Sequence, residues 1–307
     1  MSTKDDSHKC SVTVVIPVHN NSETIYSCLK SVFDQSQPPI QVICVFDACN
    51  DGSQSVVNSI PTRADIQLDS YEIQKMNSAK ARNFGLSKSL GCLIAFLDAD
   101  DLWDNEKLRT QTMHLSCKEK TIIGTYSEYI DFRNQHVGNS MRFKTLYRLN
   151  KRIFYDYSMP FNLSTWMLSK DKLLSMGGFD PNYRFAQDHE LFFRLLREGF
   201  RVKLVTKDLA KYRIGPNSVT TNNYLDQYLF AKYAIDLTIH NEYSLSEYLQ
   251  IKRSKFSSDS RKAQSGRLIR VALLELSNRR YTRSITTLAK AFIFSPLHTI
   301  SKFRNLR

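Results

Sequence analysis

Short apolar runs recur along the first part of the chain. Each is followed by a polar turn and then by a stretch with helical spacing. SVTVVIPV, Ser11 to Val18, is rich in β-branched residues and free of charge, as a strand buried on both faces should be. HNNSET follows and offers helix caps in Asn20, Asn21 and Ser22. Ile25, Cys28, Leu29, Val32 and Phe33 then fall on one face of an α-helix, which QSQPP ends because proline cannot continue the ladder. IQVICVFD, Ile40 to Asp47, is the next buried strand, and ACNDGS is a turn. Fully apolar strands in the order β-α-β predict a mostly parallel sheet covered by helices on both faces.

The pattern continues with a strand in IQLDSYEI, a helix in SAKARNFGLSKSL and a central strand in CLIAFLDAD. NEKLRTQTMHLSCK predicts a helix for which Asp104 offers a cap, and TIIGTYSEYI a further strand. Residues 131–159 are polar, aromatic and irregular, a composition suited to covering a substrate site. STWMLSKDKLLSMGGF predicts a strand and a helix stopped by Gly177 and Gly178. In FAQDHELFFRLLREGF, Leu191, Phe192, Leu195 and Leu196 share one helix side and Gly199 ends it. RVKLV and AKYRI predict two short strands. These patterns divide the chain into a disordered N-terminus (1–10), an α/β domain (11–220) and a basic helical C-terminal region (221–307).

Composition adds limits. At 42% hydrophobic and 24% charged, the 307 residues suit a globular protein. No run approaches the ~18 apolar residues of a membrane span, and the first residues lack a leader core, so a cytoplasmic protein is expected. The cysteines at 10, 28, 44, 49, 92 and 117 form no CxxC pair, which predicts reduced thiols rather than a disulfide or zinc framework. Most of the net charge of +13 lies in the last stretch: residues 241–307 carry 14 basic and 4 acidic side chains. Arg and Lys beside Leu, Ile and Phe there suit the surface of an anionic bilayer. They equally suit a small helical subdomain packed on the rest.

Ligands of an open parallel sheet bind beyond the carboxyl ends of its strands. Three predicted strand ends carry polar groups: Val18-His19-Asn20, Asp47, and Asp98-Ala99-Asp100-Asp101. Carboxylates crowded as in FLDADD repel unless a cation sits among them, and their hard oxygens suit Mg2+ or Mn2+ completed by substrate phosphates. Asp98 and Asp100 are the candidates, whereas Asp104 is expected to start the next helix and Asp101 either to cap it or to stand behind the two candidates. Asp47 suits either a ribose contact or a turn. Lys80 and Arg82 suit either a pyrophosphate or a solvated face. Asp188 and Glu190 suit either a general base or the ordinary attraction of acids to a helix N-terminus, with His189 beside them rather than a ligand. GxGxxG, GxxxxGK[ST] and GxSxG are all missing, which argues against dinucleotide, P-loop and serine-hydrolase chemistry.

Taken in order, these segments resemble the family 2 glycosyltransferases, which have a GT-A fold. VTVVIPVHNNSETI is similar to that family's opening strand and turn, and VFDACNDGS to its V-D-D-G-S-T-D-G-T. KMNSAKARNFG is similar to G-x-x-x-A-R-N-x-G, and FLDADD to D-x-D. GGFDPNYRFAQDHELFFRL is similar to G-G-F-D…E-D-x-D/E-L, and YRIGPNSVT to Y-R-x-H-x-x-S-x-S. The resemblance spans roughly Val12 to Thr220. It implies an inverting transferase that moves one sugar from a nucleotide-diphosphate sugar, first of all a UDP-sugar, to a glycan or lipid-linked acceptor. Pro17, Val18, Asn20 and Asp47 would hold the base and ribose, with Arg82, Asp98 and Ala99 completing the donor site. Asp100, with Asp98, would hold Mn2+ or Mg2+, and Asp188 would be the catalytic base.

The sequence departs from the family at Phe46, Asn77, Gln187 and Gly215, the last standing where a metal-binding histidine often sits. The Q-x-x-R-W signature of processive synthases is absent, which favours single transfer. A sugar nucleotidyltransferase would want a glycine-rich basic loop after the first strand. A non-catalytic homologue would bind membrane, or less plausibly nucleic acid, through the tail without binding donor.

Overall fold

The computed structural model describes residues 10–74, 76–143 and 159–214, with short helical pieces at 226–227, 229–231, 233–234, 268–269 and 287–291. Residue 215, the disordered-terminus expectation for 1–9, most of 221–307 and residues 144–158 of the irregular segment lie outside the described residues.

The first apolar runs form strands β1 (Val12–Val18), β2 (Gln41–Asp47), β3 (Gln67–Ile73) and β4 (Leu93–Phe96). They lie parallel in the order β3-β2-β1-β4. Between them run α1 (Ile25–Phe33), α2 (Ser53–Ser59) and α3 (Ser78–Lys88). Beyond β4 come β5 (Leu102–Trp103), α4 (Lys107–Thr112), β6 (Thr121–Ile130) and β7 (His136–Asn139). A 3-10 turn at Leu163–Thr165 leads to β8 (Met167–Ser169), α5 (Lys170–Ser175), α6 (Gln187–Arg197) and β9 (Arg201–Arg213). The sheet continues from β4 through β8, β6, β9 and β5, with β7 on β6. β8 runs antiparallel to both β4 and β6, and β5 antiparallel to β9, so the parallel half joins a mixed half.

Two apolar layers flank the sheet. On one side Ile25, Cys28, Leu29, Val32 and Phe33 of α1, the face predicted from spacing, meet Val14, Ile16, Cys44 and Phe46. On the other, Leu191, Phe192, Phe193 and Leu195 of α6 meet Phe96, Trp166, Leu168 and Phe179. Phe193 is buried, while the expected Leu196 is only partly so. Helix α3 has little apolar periodicity. It docks through small residues instead: Ala79, Ala81 and Gly85 are buried, and a Cβ at Gly85 would lie 2.4 Å from a Val15 methyl on β1. Gly85→Ala should therefore destabilise the protein by about 1–3 kcal/mol in urea titration, as other overpacked cores do. An unchanged midpoint would mean that α3 can lift from β1 at no cost.

Several expectations are corrected. The helix over NEKLRTQTMHLSCK is confined to α4, because Ser116 Oγ accepts from Lys118 N at 3.3 Å and its carbonyl from Glu119 N at 3.1 Å, forming a turn. RVKLV and AKYRI join as the single strand β9, whose register on β6 shifts around Tyr126 to absorb the polar residues between them. Asn20, Asn21 and Ser22 give α1 no side-chain cap. Asn20 Oδ1 accepts from Asn50 N at 2.9 Å, and Ser22 N donates to Asp51 at 2.7 Å, so this turn is tied to the one after β2.

Candidate active site

Because β1 lies between β2 and β4, their carboxyl ends open side by side. His19 Nδ1 lies 2.6 Å from the Asp47 carbonyl oxygen, which fixes the β1 and β2 ends together. Asn20 takes the left-handed conformation (φ 55°), one that asparagine tolerates better than most residues. Pro17 and Val18 close β1, with Val18 fully buried. Asp47 is nearly buried, and its Oδ1 accepts from Met76 N at 2.6 Å. Asp51 bonds Ser22 and Ser53. Burial pushes its carboxyl up, but these hydrogen bonds prevail and bring it down to about 2.

The Asp98–Asp101 turn is built by distant residues. Asp98 N donates to Ser164 Oγ at 3.2 Å, and Asp101 N to the Asp98 carbonyl at 3.0 Å. Of the two readings open for Asp101, a helix cap is excluded. Asp101 is 1% exposed and accepts from Arg213 N and Ser164 Oγ, because the end of β9 and the 3-10 turn close over it. Arg213 Nε also donates to the Asp100 carbonyl at 2.7 Å. Asp104 does not cap the helix either: its Oδ1 accepts from Glu106 N at 3.0 Å in the turn before α4, whose own N-cap, Glu106, makes no side-chain capping bond. Ala99 is buried.

Crowding shows in the acids themselves. Burial first, then the charge of Asp98, raises the Asp100 carboxyl to about 6. Burial, then Asp100 and Asp98, raises Asp101 well above the ordinary range. Such strain is what a divalent cation would relieve. Asp98 and Asp100 offer hard oxygens, and among the described residues no third acidic, histidine or cysteine side chain joins them as a cluster. That donor set fits Mg2+ or Mn2+ held by one or two carboxylates with phosphate oxygens completing the shell.

Arg82 links this turn to α6. It is 6% exposed, and its Nη2 donates to Asp98 Oδ1 at 2.6 Å. Its Nη1 donates to Gln187 Oε1 at 3.3 Å, an oxygen that Ser78 Oγ also reaches at 3.1 Å. Arg82 Nε is buried with no hydrogen-bond partner among the described residues. Gln187 is thus a shared acceptor joining the starts of α3 and α6, and Asn77, one of the departures, caps α3 by accepting from Lys80 N.

Asp188 follows Gln187 with its side chain 28% exposed, and its Oδ1 accepts from His189 N at 3.0 Å. Burial pushes its carboxyl up, but His189 and then Arg82 outweigh that and leave it below the ordinary range, so it stands ionised. Glu190 points elsewhere: it pairs with Arg194 at 2.6 Å, and Arg194 also donates to the Met176 and Gly178 carbonyls. The structure therefore separates the two acids of this helix turn. Ser164 and Arg213 went unnoticed in the sequence. Nothing marks Ser164 there, while Arg213 is the arginine of the segment similar to Y-R-x-H-x-x-S-x-S, which gives no hint of its bonds to the aspartate turn.

The overall fold is shared with solved structures of low sequence identity. The structure of S. aureus TarS 1-349 in complex with UDP-GlcNAc superposes with a TM-score of 0.61 at 17% identity, covering 91% of this chain and 90% of that one. The mannosyltransferase PcManGT of Pyrobaculum calidifontis, in complex with GDP-Man and Mn2+, gives 0.57 at 16% identity, covering 94% and 87%. The fold is GT-A. The family model described as glycosyl transferase family 2 matches residues 13–176, more than half of the chain, and the chain belongs to that family. Glycosyltransferase EpsJ of Bacillus subtilis is 26% identical over 246 residues, 76% of this chain and 71% of its own. WfaP of Escherichia coli, a UDP-Glc:alpha-D-GlcNAc-diphosphoundecaprenol beta-1,3-glucosyltransferase, is 23% identical over 69% of this chain and 81% of its own.

Proposed function

We propose that this enzyme moves one sugar from a nucleotide-diphosphate sugar, a UDP-sugar first among the candidates, to a hydroxyl of a glycan or lipid-linked acceptor, with inversion at the anomeric carbon, in the synthesis of surface polysaccharide or glycolipid. The observation that supports the reading is the bridge Asp98–Arg82–Gln187, which ties the residue before Asp188 to the aspartate turn, with the Arg82 charge also lowering the Asp188 carboxyl. Pro17, Val18, Asn20 and Asp47 bind the base and ribose. Asp98, Ala99 and Asp100 face the diphosphate, with Asp98 and Asp100 holding the cation. Arg82 positions Asp98. Asp188 accepts the proton of the acceptor hydroxyl as that oxygen attacks the anomeric carbon and the bond to the diphosphate breaks. When bound, Mn2+ or Mg2+ supplies Lewis-acid neutralisation of the departing charge.

The UDP-GlcNAc and Mn2+ in the two structural relatives, and the diphosphoundecaprenol acceptor of WfaP, support these choices. No helix among the described residues is long and apolar enough to cross a membrane. Independently of this, we propose that a lipid-linked acceptor is met at the cytoplasmic face of the bilayer, with the basic residues of 241–307 as its contact. UDP or GDP should raise Tm more with Mn2+ than with EDTA. If no nucleoside diphosphate moves Tm under either condition, the donor site is wrongly assigned.

A further inference from the structure

The end of the sheet opposite the donor crevice holds a second cluster. Cys10 lies just before β1, Cys92 just before β4, and Cys117 in the turn between α4 and β6. Their three sulfurs all lie within 4.8 Å of one another, and each residue is half-buried, so the cluster is reachable from solvent. All three are free thiols. The absence of a CxxC pair in the sequence argued against a metal site, but that argument concerns ligands supplied by one loop. Here the ligands come from two adjacent strand starts and one turn.

We propose that Cys10, Cys92 and Cys117 form a binding site for a thiophilic divalent cation, of which Zn2+ is the natural representative. Three thiolates at the ~2.3 Å Zn–S distance stand roughly 4 Å apart, so a small closure of the present arrangement suffices. Thiolate sulfur selects such ions over Mg2+ or Mn2+, which keeps this site chemically separate from the aspartate turn. Binding by all three converts three thiols to thiolates and releases three protons; a solvent molecule fills the fourth position.

The scaffold around the cluster is fixed before any ion arrives. Leu93 N donates to the Ser11 carbonyl at 2.9 Å, Cys92 N to Ser11 Oγ at 3.2 Å, and Lys170 N to the Cys92 carbonyl at 2.9 Å. Gly91 sits so close to β1 that a Cβ there would lie 2.5 Å from Thr13 N, which holds the β4 start against β1. Two of the three ligands are thus held near each other by strand pairing alone. A thiol must lose its proton to ligate the ion, so affinity should climb with pH.

The test uses the full chain, purified with a non-thiol reductant and stripped of metal, and titrated with Cd2+ as the spectroscopic probe and with Zn2+ against a chromophoric chelator. One equivalent of Cd2+ should give a sulfur-to-metal charge-transfer band, and one equivalent of Zn2+ should protect three thiols from a thiol reagent. Cys92→Ser and Cys117→Ser should each lose the band. Asp100→Asn should keep it, which separates this site from the donor-site cation. Cys10→Ala, at the edge of the fold, repeats the measurement should the other two variants fold poorly. Absence of a band in the wild type, its persistence in Cys92→Ser, or conversion of the trio to a disulfide without metal uptake would each overturn the proposal.

Discussion

Asp188→Asn should keep donor binding and reduce transfer by about 10²–10⁴-fold, the usual contribution of a general base. Asparagine retains the side-chain oxygen that accepts from His189 N, so the start of α6 should hold its shape. What it loses is the ability to take the acceptor proton. Its neighbours keep the wild-type carboxyl ionised, since His189 and Arg82 outweigh burial. Asp188 should therefore not limit the rate on the acid side of neutrality. The measurement is a pair: Tm shift by UDP with Mn2+, and turnover with a competent acceptor. Wild-type turnover in the variant would remove Asp188 from the mechanism. Loss of UDP binding as well would show that it supports the donor site rather than the proton transfer.

Asp100→Asn should raise the stability of the metal-free protein at pH 7.5 and abolish the Mn2+-dependent part of the UDP shift. The sign follows from the raised carboxyl. Its folded value of about 6 exceeds the ordinary 3.8, so its contribution to stability is fully present below 3.8 and is lost as pH rises through about 6. Asp101, also raised, adds in the same direction. At pH 7.5 the wild type carries this penalty and the asparagine variant does not. A gain of about 1–3 kcal/mol, a few degrees in Tm, is expected. At pH 5 the difference should shrink, because Asp100 is then largely protonated. Between pH 7 and 5 the metal-free wild type should itself become more stable. A variant less stable than wild type at pH 7.5 would mean that the crowding has been misjudged. A retained Mn2+ effect would place the cation elsewhere. A stability gain coupled to loss of ligand response is the usual mark of a strained functional group.

Much of the fold could be read from spacing. The buried face of α1 and the apolar strands β1, β2 and β4 came out as predicted, because each is specified by neighbours within a few turns of chain. The aspartate turn was visible too, since four acids after an apolar run are rare without a partner. The limits of α4, the union of two segments into β9 and the lost caps of α1 were not visible. There, polar side chains had a choice between local and distant partners, and the distant ones won.

Taken alone, the sequence determined the succession β1, α1, β2, β3, α3 and β4, though not α2, β5 or β7, together with the placement of polar groups at three strand ends and the resemblance that names the family. Only the tertiary structure decided which acids do what. Asp101 became an anchor for Arg213 and Ser164, Glu190 a partner of Arg194, and Arg82 the bridge from Asp98 to Gln187. It also gathered Cys10, Cys92 and Cys117 from three places in the chain. The physical reason is common to all of them. A buried charge or polar group must find a partner, and local patterning cannot say which of several distant groups the closing sheet will bring within reach.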